Sequence, residues 1–139
     1  MSEQKKILNY NTLPEMFFKQ AKENSFKPLL WFKKNNKYCS LTWKNIENKI
    51  KKVSLEIKKI GLKNGDKVLI VSENNPNWFI ADFAIMASGC ITVPAYTTYT
   101  KKDFEYIIDD SEAKLAFISN QNLFNNFIQA AKNKKRLKN

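Results

Sequence analysis

The side chains that could carry acid–base or nucleophilic chemistry are few and poorly partnered. The 139-residue chain contains no histidine. Imidazole bases, histidine-based triads and histidine zinc ligands are therefore excluded. Ser72 and Ser111 have no such base to activate them. Cys39 and Cys90 lie far apart and belong to no CxxC pair, so they read as reduced, space-filling residues of a cytosolic protein. Asp109 and Asp110 are adjacent, with Ser111 and Glu112 after them. Sequence neighbours do not share a helix face, so this group reads as a solvated acidic helix end and not as a catalytic pair. Asp82 is the one charge between Trp78 and Ala87 and reads as the wet stripe of an otherwise apolar helix. The hydroxyl-rich run Tyr96-Thr97-Thr98-Tyr99-Thr100 follows a short apolar run. It is either the wall of a cleft at a strand's carboxyl end or a turn in which Thr100 caps a helix, and the cap is favoured.

Nucleotide phosphates are commonly held by a glycine-rich turn between a strand and a helix. Only Gly61, Gly65 and Gly89 are present, and none belongs to GxGxxG or GxxxxGK[ST]. The turn after Val71 reads SENNPNW and has no glycine to bring a pyrophosphate onto the backbone. No catalytic, cofactor-binding or metal-binding residue is assigned within this chain.

The formal net charge of +11 raises the question of nucleic acid. Of the 24 basic residues only Arg136 is arginine, whereas bidentate phosphate and guanine recognition favours arginine. Asparagine is abundant too, with pairs at Asn35-Asn36, Asn74-Asn75 and Asn125-Asn126. Lysine and asparagine rising together fits AT-rich coding and solvated faces, and no nucleic-acid partner is expected. Residues 132–139, KNKKRLKN, read as a basic, disordered tail. The amino terminus, MSEQKKILNYN, has no apolar secretory core, which with the reduced cysteines gives a cytoplasmic expectation.

The hydropathy pattern supplies the elements. Thr12 opens an amphipathic helix running to Asn24, with Leu13, Met16, Phe17 and Ala21 on one side. Pro28–Lys33 and Lys37–Thr42 flank Asn35-Asn36 and read as a β-hairpin. Ile46, Ile50, Val53, Ile57 and Ile60 then fall at steps of four and three, placing all five on one helix face. Thr42 is its N-cap and Gly61 its C′ residue. Asn64-Gly65-Asp66 is a turn, and Val68–Val71 a strand covered on both faces. Pro76 starts a helix enclosed by its neighbours, which runs to Ala87 and is too short to cross a bilayer needing ~20 apolar residues. Gly89 ends it, and Cys90–Val93 is a strand stopped by Pro94. A helix over 101–110, a strand over Leu115–Ile118 and a helix over 120–131 complete the pattern. From Lys67 the order is βαβαβα, which predicts an α/β fold with a largely parallel sheet covered by helices.

These elements carry a resemblance. Leu41-Thr42-Trp43, Gly65-Asp66, Asn74 to Trp78, Gly89 with Val93-Pro94, and Asp110 to Lys114 stand in the order found in the amino-terminal region of adenylate-forming acyl-CoA synthetases. The resemblance spans Thr12 to Ser119, and the wording Val-Pro-Ala-Tyr-Thr-Thr is most similar to bacterial long-chain fatty acyl-CoA synthetases. Trp43 stands where Tyr is usual, Asn77 where an acid is common and Cys90 where Ala is common. The resemblance implies an enzyme that condenses a fatty acid with ATP to an acyl-adenylate, using Mg²⁺, and passes the acyl group to coenzyme A. It implies also that the fatty acid is the partner, leaving room for peripheral membrane contact. The family's Ser/Thr/Gly-rich phosphate loop, its adenine- and ribose-binding segments and its mobile carboxyl-terminal domain with a catalytic lysine have no counterpart in residues 1–139. The chain is thus expected to be a partial, inactive amino-terminal piece with exposed apolar surface. Another acyl-activating ligase is the alternative within the superfamily, and the rival from another class is a small basic module binding nucleic acid or anionic membrane, for which the cations are scattered outside the tail.

Overall fold

The computed structural model describes residues 10–132, 134 and 137. Its elements are α1 (Leu13–Glu23), β1 (Pro28–Lys34), β2 (Lys37–Thr42), α2 (Trp43–Lys59), β3 (Lys67–Val71), α3 (Pro76–Ala87), β4 (Ile91–Ala95), α4 (Lys101–Ser111), β5 (Leu115–Ile118) and α5 (Gln121–Ala131). The order is the expected one, and local chemistry explains most of the boundaries. Thr12, Thr42, Asn75, Thr100 and Asn120 each accept a hydrogen bond from a backbone N–H of the helix they precede. At α2 the cap is reciprocal, because Asn45 accepts from the Thr42 backbone while Thr42 accepts from that of Asn45. Between β1 and β2, Asn35 and Asn36 both have positive φ (49° and 59°). Two left-handed residues make a turn whose twist matches that of the flanking strands.

The parallel sheet has the order β4-β3-β5. The chain steps outward from β3 to β4 through α3, then returns across β3 to β5 through α4. Crossovers of one hand that run in opposite directions place their helices on opposite faces. The core divides accordingly. Val68 and Ile70 pack with Phe17, Ile46, Ile50 and Ile85 on the side of α1, α2 and α3. Leu69 and Val71 point the other way, into Phe104, Ile108, Leu123 and Phe127 of α4 and α5. The alternation along β3 is the period of two that a doubly covered strand requires.

On the first face Phe17 is the hub. Its ring lies 5.4 Å from Trp43, 6.0 Å from Phe79 and 5.1 Å from Phe83, so one side chain joins α1, α2 and α3. Glu47 is the one buried carboxylate of α2 and is held by Lys44 and Lys51 at 3.0 and 2.6 Å. At the amino-terminal end of the sheet, Lys114 Nζ donates to Asp66 Oδ1 at 2.7 Å. Gly65 N–H donates to the Gly89 carbonyl at 2.8 Å. Three segments separated in sequence, Asn64-Gly65-Asp66, Gly89 and Lys114, thus close one end of the sheet.

Two expectations require correction. Pro94 does not stop its strand: β4 continues through it to Ala95, with Pro94 opposite Ile70. β4 is an edge of the described sheet, where a residue without N–H leaves no gap in the ladder if that position faces outward. Ile60 does not join the buried face of α2. It is the C-cap and 42% exposed, because the helix ends at Lys59 and Gly61, at φ +83°, turns the chain away. Of the basic tail expected over 132–139, residues 133, 135, 136, 138 and 139 lie outside the described residues. Lys134 bonds the Asp109 carboxylate and Leu137 packs against the α4–α5 core.

Candidate functional site

The topology singles out one end of the sheet. β3 leads into α3 on one face, while its neighbour β5 leads into α5 on the other. Adjacent strands whose outgoing helices diverge leave a crevice at their carboxyl ends, where ligands of open α/β sheets gather. A cavity of about 190 Å³ lies there, walled by Ile70, Trp78, Ala81 and Phe117 and rimmed by Ser72, Asn75 and Ser119. Asn75 also borders a groove of about 510 Å³ that runs past Pro76 and Phe79 to Trp31 of the hairpin.

The rim is a closed hydrogen-bond set. Ser119 Oγ donates to Glu73 Oε2, and Asn120 Nδ2 donates to Glu73 Oε1 at 2.7 Å. Asn75 Nδ2 donates to Ser72 Oγ at 3.1 Å and to the Glu73 carbonyl at 3.0 Å. Glu73 therefore ties the β3–α3 loop to the start of α5. The Ser119 hydroxyl, helped by the Asn120 amide, holds the Glu73 carboxyl below its ordinary value of 4.5.

The helix N-termini at this end are occupied from within. Asn75 Oδ1 takes the N–H groups of Asn77 and Trp78 at 2.8 and 3.2 Å. Asn120 Oδ1 takes that of Leu123 at 2.9 Å. At α4, Asp103 Oδ2 accepts from the Thr100 backbone at 2.8 Å. Asp103 is consequently held below its ordinary value of 3.8, the Thr100 hydroxyl contributing most. A phosphate would have to displace these caps, and carboxylates stand beside two of them, Asp103 at α4 and Glu73 bonded to Asn120 at α5. The residues present do not fit the triphosphate of ATP or its Mg²⁺, and no step of a reaction is derived through them. The apolar walls with an amide and hydroxyl rim suit an uncharged group.

The sequence candidates are placed as follows. Thr100 caps α4, and the ring of Tyr99 rests 5.7 Å from Phe104 and 5.6 Å from exposed Tyr96. The Tyr96–Thr100 loop thus serves α4 first. Ser111 Oγ donates to the Ile107 carbonyl at 2.5 Å and caps its own helix end. Asp109 and Asp110 are exposed, Asp82 is half-buried on α3, and Cys39 and Cys90 are free thiols. No group of three or more metal-ligating side chains occurs among the described residues. The sequence reading passed over Glu73, Ser119 and Asn120. Their one signal was an asparagine just after each of two strand ends, and nothing local says that the two loops meet.

Comparison with known proteins agrees with this architecture. The family model described as "AMP-binding enzyme" matches residues 17–139. The chain is 35% identical over 80 residues to the long-chain-fatty-acid–CoA ligase FadD15 of Mycobacterium tuberculosis, covering 58% of this chain and 13% of that protein. It is 35% identical over 105 residues to long chain acyl-CoA synthetase 3 of Arabidopsis thaliana, covering 76% of this chain and 16% of that protein. Among solved structures, the anthranilate CoA ligase AuaEII in complex with anthranoyl-AMP superposes with a TM-score of 0.81 at 18% identity, over 98% of this chain and 25% of that one. The chain spans about a sixth or less of these two relatives' lengths. With its motifs, its doubly covered parallel sheet and the family match in agreement, the chain belongs to the AMP-binding enzyme family.

Proposed function

We propose that residues 1–139 are the amino-terminal part of an adenylate-forming domain, and that the whole protein is a long-chain fatty acid–CoA ligase. The enzyme would join a fatty acid to ATP as an acyl-adenylate with release of pyrophosphate, then transfer the acyl group to the thiol of coenzyme A. The family match over residues 17–139 carries the ligase class, and the names of the two relatives above support the long-chain acid. The contribution of this chain is a scaffold. Glu73, Ser119 and Asn120 lock the β3–α3 and β5–α5 loops together, and the capped helix ends leave phosphate, metal and coenzyme A to segments other than this one. No helix among the described residues is long and apolar enough to cross a membrane.

The test is acid-dependent exchange between ATP and pyrophosphate, made on protein that continues through a phosphate loop and carboxyl-terminal domain. Exchange with palmitate and little with benzoate or amino acids is the expected outcome. Preference for benzoate would keep the family and refute the long-chain acid.

A further inference from the structure

The turn that closes the amino-terminal end of the sheet contains a reactive pair that neither the fold nor the crevice uses. Asn64 is the only asparagine of the chain that is followed by glycine. Glycine sets no side chain beside its own nitrogen, so that nitrogen reaches the carboxamide of a preceding asparagine more readily than any other residue's. Asn64 and Gly65 are both exposed. Among the described residues, nothing beyond its chain neighbours lies within 4 Å of where a Gly65 Cβ would stand. Solvent therefore reaches the pair.

The fold holds the two reacting atoms apart. Asp66 N–H donates to the Lys63 carbonyl at 3.0 Å and Gly65 sits at φ +84°, which makes residues 63–66 a type II turn. Gly65 N–H donates across to the Gly89 carbonyl at 2.8 Å. The Asn64 carboxamide lies over the bare Gly89, where a Cβ would fall 2.9 Å from its Cγ. Nitrogen and carbon are thus each engaged by Gly89 and must be released from it before they can join. Lys114 supports the closure. It bonds Asp66 Oδ1 at 2.7 Å, while Asp66 Oδ2 accepts the Lys63 N–H at 2.8 Å.

We propose that Asn64 is a site of spontaneous deamidation, and that Gly89 sets its rate by holding both reacting atoms. The Gly65 nitrogen forms a bond to Asn64 Cγ, the Cγ–Nδ2 bond breaks, and the proton of the Gly65 nitrogen leaves with Nδ2 as ammonia. Water then opens the resulting succinimide. Opening at Cγ gives aspartate, and opening at the backbone carbonyl gives isoaspartate, which adds a methylene to the turn. No oxidant or reductant takes part. Either product sets a new carboxylate beside Asp66, and isoaspartate moves Gly65 away from the Gly89 carbonyl. The site is independent of the reading of the crevice and of the ligase activity.

Incubation of the 139-residue chain at neutral pH tests it, with isoaspartate read by methyltransferase labelling and located by peptide mapping. A peptide of residues 60–70 gives the unprotected rate. Reaction through an open state runs at that rate multiplied by the open fraction, so the folded chain should convert more slowly by about tenfold or more. Gly89→Ala displaces the Asn64 amide and brings the rate to within a few-fold of the peptide's. Lys114→Gln leaves the turn and Gly89 in place and raises the rate by a few-fold, so it decides the matter should Gly89→Ala lose native circular dichroism. Asn64→Gln removes the signal. Hydrogen exchange at the Gly65 amide should rank the unchanged chain and both variants in the same order, since it too needs the Gly89 bond broken. Conversion of the folded chain at the peptide's rate would overturn the proposal. So would equal rates in the unchanged chain and the variants, or isoaspartate at Asn24-Ser25 before Asn64.

Discussion

Gly89 and Glu73 mark the two ends of the sheet and make opposite demands on the side chain. Gly89 holds φ +83°, and a Cβ there would fall 2.3 Å from Asn64 Oδ1. An alanine must bear left-handed backbone and push the Asn64 amide aside, so Gly89→Ala should cost about 1–2 kcal/mol in a denaturant melt. Glu73 works through its ionised form. Its folded pKa lies below 4.5, so its contribution to stability is fully present above that pH. It disappears as pH falls through the depressed value. Ser119→Ala removes the largest cause. The Glu73 titration followed by NMR should then move back up toward 4.5, and the acid-side loss of stability attributable to this residue should shrink. Gly89 was legible in the sequence as a helix stop, because a glycine after an apolar helix is a local signal. The role of Glu73 was not, because its partners lie 46 and 47 residues away.

At the scale of elements, caps and periodicity did most of the specifying. Thr12, Thr42, Pro76 and Thr100 announced their helices, and Asn35-Asn36 its turn, through interactions a few residues long. Where the reading failed, tertiary context had intervened. Pro94 remains in β4, consistent with that strand being an edge, and strand order depends on pairings that periodicity does not encode. Ile60 keeps the helical spacing but lies past the last turn. The docking of α1 was likewise invisible, since its helix pattern gives a buried face without saying what covers it. In the structure that cover is Phe17, 2% exposed, against Trp43, Phe79 and Phe83. Phe17→Ala should cost about 3–5 kcal/mol, with loss of protection from hydrogen exchange in α1 before α4 and α5. A cost below about 1 kcal/mol, the range of ordinary surface substitutions, would mean that α1 is not held by this ring.

At the scale of the molecule, the sheet is open on both sides. β4 and β5 each have one described neighbour, every residue of β5 is half-buried, and Ile91, Phe124 and Ile128 are exposed. Unpaired strand edges beside apolar surface invite association. The isolated chain should therefore form concentration-dependent oligomers in sedimentation velocity, and a monomer at all concentrations would contradict this. The family was legible in the sequence because its motifs are turn and cap residues that recur in fixed order. The crevice was not, since it exists only once β3 and β5 are side by side. The central claim, that this chain is a scaffold for fatty-acid activation and not its catalyst, is tested most directly by a chimera. The corresponding segment of FadD15 would be replaced by residues 1–139, and palmitate-dependent ATP–pyrophosphate exchange measured beside the isolated chain. The account predicts exchange by the chimera and none by the chain alone. Exchange by the isolated chain, or a folded chimera without any, would contradict it.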